Sequence, residues 1–298
     1  MANLKDVRER IKSVKNTQQI TKAMKMVSAS KLRRAQMAIT QMRPYADKLN
    51  EMLRNILSNL EGDATTVFGN ERPVENVCVV VVTSSKGLCG AFNSNVIKAA
   101  LAEINEKYSE QLAAGKLTIL PIGKKGYAFF KKRFKNSTII EDYVTLFDDL
   151  SFENVSRVSQ QLMDAFEAKE YDKVAVAYGR FRNAAVQYPE CVQFLPVEKL
   201  DKSTTGKKKK HRADYIFEPN KEDLLKHLVP SILQTQFQKF VLDTHASEHG
   251  ARMTAMDAAT ENAEELVKEL KISYNKARQE AITKELSEIV GGAAALEG

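Results

Sequence analysis

Few residues of this chain could carry chemistry, and one loop is placed where chemistry is common. The loop SSKGLCGAFN, at 84–93, follows an apolar strand-like run, which is where doubly wound folds bind nucleotides. Its GLCG core is neither GxGxxG nor GxxxxGKS/T, so the phosphate-cradling pattern is missing. The sequence therefore favours a tight turn in which Gly87 takes a positive φ, and no nucleotide or other cofactor is expected.

The four histidines and three cysteines show no usual metal-ligand spacing and form no nucleophile–base–acid set. Cys78 and Cys191 lie inside apolar strand-like runs, which predicts buried and reduced thiols. We therefore expect neither a metal site nor a catalytic residue on this chain.

Two long helical segments must position whatever this chain presents to a partner. Steps of three and four residues lead from Leu4 to Leu60 through seventeen positions, of which thirteen are apolar. A second series of such steps runs from Ala246 to Ala281, with mostly small or flexible residues. An apolar period of 3.5 is typical of a coiled-coil seam, so helices at 1–60 and 220–291 are predicted to pair antiparallel.

The first helix has a polar interruption in its seam. The four polar seam positions are consecutive: Gln18, Thr21, Lys25 and Ser28. Over the same stretch the apolar residues shift to Ile20, Met24 and Val27. Either the seam rotates there by about 100°, or this stretch faces a partner other than the second helix. A partner-facing stretch is the interpretation we carry forward.

The middle of the chain, 74–218, predicts an α/β domain. Strand and helix signals alternate, which indicates a Rossmann-like, mostly parallel sheet. Pro189 should place the last strand at an edge. The expected strands are Val77–Thr83, Leu117–Ile122, Ile139–Tyr143, Lys173–Tyr178 and Val186–Val197, with helices at Asn93–Ala113, Gly123–Phe134 and Ser151–Lys169.

Charge is distributed unevenly along the chain. Residues 1–60 carry thirteen Lys and Arg against four Asp and Glu, whereas 221–298 carry nine basic and thirteen acidic residues. Opposite charge favours pairing of the two helices modestly, and the basic surplus suits an acidic partner. No aromatic interleaving supports nucleic acid. No signal peptide or membrane-spanning run is evident, so membrane association is expected only through partners.

Four segments resemble one protein family. They are ITKAMKMVSASKLRRA at 20–35, SSKGLCGAFN at 84–93, EHGARMTAMD at 248–257 and YNKARQEAITKELSEIVGGAAA at 274–295. Their order and sequence resemble the gamma subunits of F-type ATP synthases, in the form found in bacteria. The resemblance is weakest at 60–75 and at 199–213, where the basic KKKKH loop is located.

The resemblance implies a rotor shaft without an active site of its own. Such a shaft turns inside alternating alpha and beta catalytic subunits and contacts the epsilon and delta subunits and the membrane c-ring. It couples ATP synthesis or hydrolysis to proton flow at the cytoplasmic side of the bacterial cell membrane. The resemblance also implies partner-binding and coupling roles for Met24, Lys25, Arg252, Arg278, Gln279, Thr283 and Glu285.

Two alternatives stay open from the residues alone. One is a coiled-coil tether or scaffold whose α/β domain binds a ligand, and which needs no surrounding ring of ATPase subunits. The other is a Rossmann-like enzyme with helical arms, which nucleotide binding by the isolated chain would favour. Co-purifying partners distinguish both from a rotor shaft.

Overall fold

The computed structural model describes residues 4–58, 67–69, 72–197 and 221–297. The chain divides into two compact units, Met1–Ala29 with Arg252–Gly298, and Ser30–Ala251. We call them the terminal unit and the sheet unit. The basic loop at 201–213 and a weak strand expected at 215–217 lie outside the described residues.

Helix α1 spans Leu4–Ser58 and contains Pro44. The helix is unbroken at Pro44, as the continuous phase of the apolar stripe predicts. Within the sheet unit, the buried α1 positions follow the predicted steps of three and four residues: Leu32, Ala35, Ile39, Ala46 and Leu49. The heptad pattern therefore identifies the buried face of this helix correctly.

Helix α6 spans Lys221–Glu297 and contains Pro230. The prediction that Gly291 and Gly292 end this helix is wrong, because the helical backbone continues through both. Each glycine costs a helix only about 1 kcal/mol relative to alanine. Three alanines follow directly, and alanine is the strongest helix former, so the helix continues past the two glycines.

The sheet unit contains a five-stranded sheet with the order β3-β2-β1-β4-β5. Strands β1, β2, β3 and β4 are mutually parallel where they pair, and β5 runs antiparallel to β4. Pro189 lies in β5, at an edge of the sheet, as predicted. The strands are β1 Val77–Val82, β2 Leu117–Ile122, β3 Thr138–Ile139, β4 Lys173–Phe181 and β5 Gln187–Leu195.

Shorter helices connect the strands. The single helix expected at 93–113 is interrupted at Tyr108, whose ring is buried and whose φ of −128° is not helical. The elements are α2 Phe92–Lys107, α3 Ser109–Ala113, α4 Lys124–Arg133 and α5 Phe152–Glu167, with 3₁₀ turns at Val67–Gly69 and Leu146–Asp148.

The sheet is buried on both faces. Alternate residues of β1 enter different cores, because successive strand side chains point to opposite faces. Val77, Val79 and Val81 pack with residues of α2. Cys78, Val80 and Val82 pack in the other core, with α5 and the segment of α6 around Phe237. This two-sided burial explains why β1 is a continuous apolar run.

Candidate functional site on the paired helices

In the terminal unit, α1 and α6 pack antiparallel through polar contacts. Thr21 Oγ1 lies 2.8 Å from Thr260 Oγ1. Lys25 Nζ donates a hydrogen bond to the carboxylate of Asp257, one turn farther along α1 and one turn earlier on α6. Rising numbers on one helix therefore meet falling numbers on the other, which is the predicted antiparallel pairing.

The polar interruption lies in the seam, so the prediction that it faces another partner is wrong. Gln18, Thr21 and Lys25 are half-buried, and Ser28 is buried. The seam does not rotate either, because these positions continue the phase of Val7 and Ile11. Hydroxyl and charge pairs occupy the contact with α6 in place of apolar side chains. Buried polar groups need such partners to offset their desolvation.

Three apolar residues of this stretch are exposed. Ile20, Met26 and Val27 are 60%, 59% and 57% exposed. Ile20 and Val27 are seven residues apart and share one face of α1. Lys31, four residues after Val27, is exposed on the same face. This part of α1 therefore presents a mixed apolar and basic face.

The two predicted partner residues on α1 differ in their surroundings. Met24 is half-buried. Lys25 keeps 39% of its side chain exposed while it pairs with Asp257, whose side chain is 46% exposed. At that exposure an ion pair contributes on the order of 0.2–1 kcal/mol. Lys25 is thus held in the seam by a modest interaction and still reaches the surface.

The predicted partner residues on α6 fall into two groups. Arg252 is buried, with 7% of its surface exposed, so it suits a role in stabilising the helix more than a direct contact. The other four are exposed: Arg278, Gln279, Thr283 and Glu285. The Thr283 hydroxyl donates to the carbonyl oxygen of Gln279 at 2.9 Å, within the helix. The structure therefore does not bring all five into one surface.

An exposed apolar stripe near the end of α6 was missed by the sequence analysis. Its members are spaced four, three and one residues apart, which places them on one side of a helix. They are between 45% and 68% exposed: Ile282, Leu286, Ile289 and Val290. Steps of three and four residues, which revealed the seam, could also have revealed this stripe. Clustered apolar exposure of this kind marks an interaction surface.

The glycine-bearing loop of the sheet unit is a closed turn. The Asn93 side chain accepts from Ser84 N at 2.9 Å and donates to Ser84 Oγ at 2.8 Å and to Cys89 Sγ at 3.2 Å. The expected positive φ at Gly87 is wrong, since it occurs at Leu88 and Gly90, at 62° and 57°. The loop thus directs its polar groups inward, as a tight turn does.

The three thiols are free and lie in the sheet unit. Cys78 and Cys89 are buried and Cys191 is half-buried. Burial raises the pKa of Cys78 and of Cys191 to about 12, because the low-dielectric interior disfavours the thiolate. The prediction of a buried thiol is confirmed for Cys78, whereas Cys191 is only partly buried.

None of the helices that the structure describes is long and apolar enough to cross a membrane.

The whole chain resembles one family. A family model described as ATP synthase matches residues 3–296. The ATP synthase gamma chain of Cytophaga hutchinsonii is 52% identical over 299 residues, covering 99% of each chain. The ATP synthase gamma chain of Chlorobium phaeobacteroides is 45% identical over 300 residues, covering 100% of each chain.

Solved structures agree at the level of the fold. A chain of the Euglena gracilis mitochondrial ATP synthase OSCP/F1/c-ring structure has a TM-score of 0.65 and 22% identity, covering 98% of this chain and 94% of that one. A chain of the rotor from the same organism, in rotational state 1, has a TM-score of 0.59 and covers 94% and 98%. The match from residue 3 to residue 296 and the identity to curated gamma chains together show that this chain belongs to the ATP synthase gamma chain family.

Proposed function

We propose that this chain is the rotating central shaft of a bacterial proton-translocating ATP synthase. It transmits torque between the membrane c-ring and the catalytic alpha and beta subunits, so that ATP synthesis or hydrolysis is coupled to proton flow. The observation that carries this proposal is the end-to-end identity of about half to curated ATP synthase gamma chains. The nucleotide chemistry belongs to the alpha and beta subunits, and this chain supplies a moving surface.

The exposed faces of the terminal unit suit a shaft. A rotating part must make and break contacts at each step, so deep apolar anchoring on its outer face would slow it. The face of α1 around Ile20 and Val27 is mixed, with the exposed Lys31 beside apolar side chains. Lysines can hold acidic partner groups through interactions that water readily replaces. The excess of basic residues in 1–60 makes the net charge of this segment positive.

We assign the coupling contacts to six exposed or half-buried residues and one buried one. Met24 and Lys25 would meet the beta subunits from α1, and Arg252 would stabilise α6. Exposed α6 residues would meet partner loops: Arg278, Gln279, Thr283 and Glu285.

The apolar stripe of α6 calls for a different environment. Full burial of a fully exposed side chain of this size contributes roughly 1.5–3 kcal/mol. Ile282, Leu286, Ile289 and Val290 are 45% to 68% exposed, so each would gain about half of that. An apolar wall of the surrounding alpha and beta subunits would cover the stripe without gripping it through specific polar bonds. Such a wall would hold the end of the helix on its axis while allowing it to turn.

The sheet unit would contact the epsilon subunit and the c-ring, and the delta subunit would complete the set of partners. The chain would lie on the cytoplasmic side of the bacterial cell membrane and be attached only through these partners.

Reconstitution tests the proposal directly. The chain is expressed with its own alpha, beta and epsilon subunits, and the complex is assayed for ATP hydrolysis and for rotation of a bead attached to this chain. A rotor gives ATP-dependent turning in one direction. A static scaffold would bind the same subunits without turning, and a helical-armed enzyme would bind nucleotide alone; either result would refute the proposal.

A coupling variant refines the test. Thr283→Val removes one hydroxyl at nearly constant volume and should leave the melting temperature within about 2 °C, because the hydroxyl bonds only within its own helix. We expect proton-driven ATP synthesis to fall several-fold in assembled complexes. Serine at the same position is the matched control and should retain synthesis. Full synthesis by Thr283→Val would remove Thr283 from the coupling set.

A further inference from the structure

Two histidines of α6 lie in contact outside the surfaces assigned above. His245 and His249 are four residues apart and therefore share one face of the helix. Their Nε2 atoms are 3.1 Å apart, and the ring centroids are separated by 4.5 Å at an angle of 84°. One Nε2–H donates to the other Nε2, so two imidazole nitrogens that could share one ion are already adjacent.

We infer that this histidine pair chelates a divalent transition-metal ion of the Cu²⁺, Ni²⁺ and Zn²⁺ class. Two imidazole nitrogens each about 2.0–2.1 Å from a tetrahedral zinc ion are about 3.3 Å apart. The observed separation of 3.1 Å is close to that value. The sequence analysis set metal binding aside, although a spacing of four residues on a helix is the one with which HExxH helices hold zinc.

The surroundings of the pair fix its geometry in advance. His245 stacks on Phe147 of the Leu146–Asp148 turn, with centroids 6.0 Å apart and planes 25° apart. His249 is buried, with 5% of its surface exposed. Both rings thus have little rotational freedom to lose on binding an ion, which favours affinity. His245 is only half-buried, so an ion can approach from its side.

The site would be open and exchangeable. Among the residues that the structure describes, no group of three or more His, Cys, Asp or Glu side chains could hold a metal ion. The ion would therefore have two protein ligands and complete its shell with water. Structural zinc sites have four protein ligands, so this site should be weaker and should respond to the concentration of free metal.

Binding requires a defined change in the protons of the pair. Both rings must be neutral, and the ring that now donates must move its proton from Nε2 to Nδ1 by exchange with solvent. The two Nε2 lone pairs then face the ion, and no net proton is released. Protons compete with the ion for these nitrogens, so binding should weaken as the pH falls.

The test uses the full chain without a polyhistidine tag. One equivalent of Cu²⁺ is added at neutral pH, and electron paramagnetic resonance counts the coordinating nitrogens. Calorimetry gives the affinity for Cu²⁺ and for Zn²⁺. We expect two imidazole nitrogens, tighter binding of Cu²⁺ than of Zn²⁺, and no binding of Mg²⁺, which prefers oxygen ligands.

Two variants decide the site. His249→Gln removes one ligand, and His245→Phe removes the other while keeping an aromatic ring against Phe147. Loss of even an outer-shell partner typically costs 10–100-fold in metal affinity, so each variant should weaken Cu²⁺ binding at least about tenfold. His211→Asn is the control and should bind as the parent does. Unchanged Cu²⁺ binding in either folded variant, or loss in His211→Asn, would overturn the proposal.

This inference is independent of the rotor assignment. It stands if the chain proves to be a static scaffold, and it fails if the histidine variants bind copper normally in a working rotor.

Discussion

The same two helices pair in both units, but the chemistry of the contact differs. In the sheet unit, Leu49 of α1 and Phe237 of α6 belong to one buried core that continues into β1 and α5. In the terminal unit, the contact includes Thr21 with Thr260 and Lys25 with Asp257. One pairing therefore rests on burial of large apolar groups and the other on small side chains and polar pairs.

The difference separates stability from function. Apolar burial contributes about 25 cal/mol per Å², and most of the buried apolar residues lie in the sheet unit, so this unit should contribute most of the stability. The terminal unit buries less and leaves apolar residues such as Val27 and Ile289 exposed. A surface kept available for partners cannot also be a core. We therefore expect substitutions in the core of the sheet unit to destabilise the fold, and substitutions on the surface of the terminal unit to impair function.

The largest effect is expected from a core truncation in the sheet unit. Phe237 is fully buried, and its ring lies 5.6 Å from that of Phe194. Phe237→Ala should lower the free energy of unfolding by about 3–5 kcal/mol, through lost burial and the cavity left behind. Denaturant titration followed by circular dichroism measures the change. Phe152→Ala, at a position 51% exposed, is the control and should change it by less than about 0.5 kcal/mol.

A smaller effect, on function and not on folding, is expected at Met24. Met24→Lys adds a charge to a half-buried position next to the exposed face of α1, where partners are proposed to bind. Coupled ATP synthesis should fall about tenfold, which corresponds to about 1.4 kcal/mol. The melting temperature of the chain should barely change. Met37→Lys, on the same helix at a residue 56% exposed, is the matched control.

Full synthesis by Met24→Lys complexes would remove this residue from the proposed coupling set. A loss of stability as large as that of Phe237→Ala would instead show that the terminal unit contributes substantially to the stability of the fold.

The polar seam offers a charge-reversal experiment with a still smaller effect. Asp257→Lys places two lysines together and should lower the free energy of unfolding by about 0.5–1 kcal/mol. Adding Lys25→Asp to that variant restores opposite charges and should recover most of the loss. Thermal melts of the two single variants, the double variant and the parent complete the cycle. Both single changes and the recovery should shrink at 1 M salt, because exposed ion pairs are screened.

If the double variant is no more stable than the single ones, Lys25 and Asp257 do not form a pair in solution. The antiparallel register would then rest on the Thr21–Thr260 pair and on apolar seam residues such as Ala263 and Val267, both of which are buried.

Most of the fold could be predicted from periodicity, because burial is what periodicity reports. The run Val77–Val82 and the α1 stripe both face cores, and both were predicted with correct types and nearly correct bounds. The position of Pro189 at an edge also followed from one physical rule, the missing backbone donor of proline.

The surfaces were harder to predict, since polarity does not say which way a residue faces. The stretch from Gln18 to Ser28 was interpreted as facing another partner because it breaks an apolar pattern, yet the structure pairs Thr21 and Lys25 with α6. Their partners are more than two hundred residues away along the chain, and no local pattern encodes such a match. The predicted end of α6 at Gly291 was wrong for a similar reason. The local stop signal of the glycines was too weak to outweigh the alanines that follow.

The difference between the two units can also be tested by thiol labelling, for which no change in stability is expected. All three cysteines lie in the sheet unit, where burial raises the pKa of Cys78 and Cys191 to about 12. At pH 8 these two thiols stay protonated, and Cys89 is shielded by burial at 1% exposure. Native protein should therefore take up no iodoacetamide within an hour, whereas protein in guanidinium should take up three equivalents.

A cysteine placed in the terminal unit supplies the contrast. Ile272 is 70% exposed, so Ile272→Cys should label at the rate of a free thiol in the isolated chain. Assembly with the alpha and beta subunits should slow that labelling if they cover this face of α6. Rapid labelling of the three native cysteines would show that the sheet unit opens as readily as the terminal unit, and the contrast between the two would be lost.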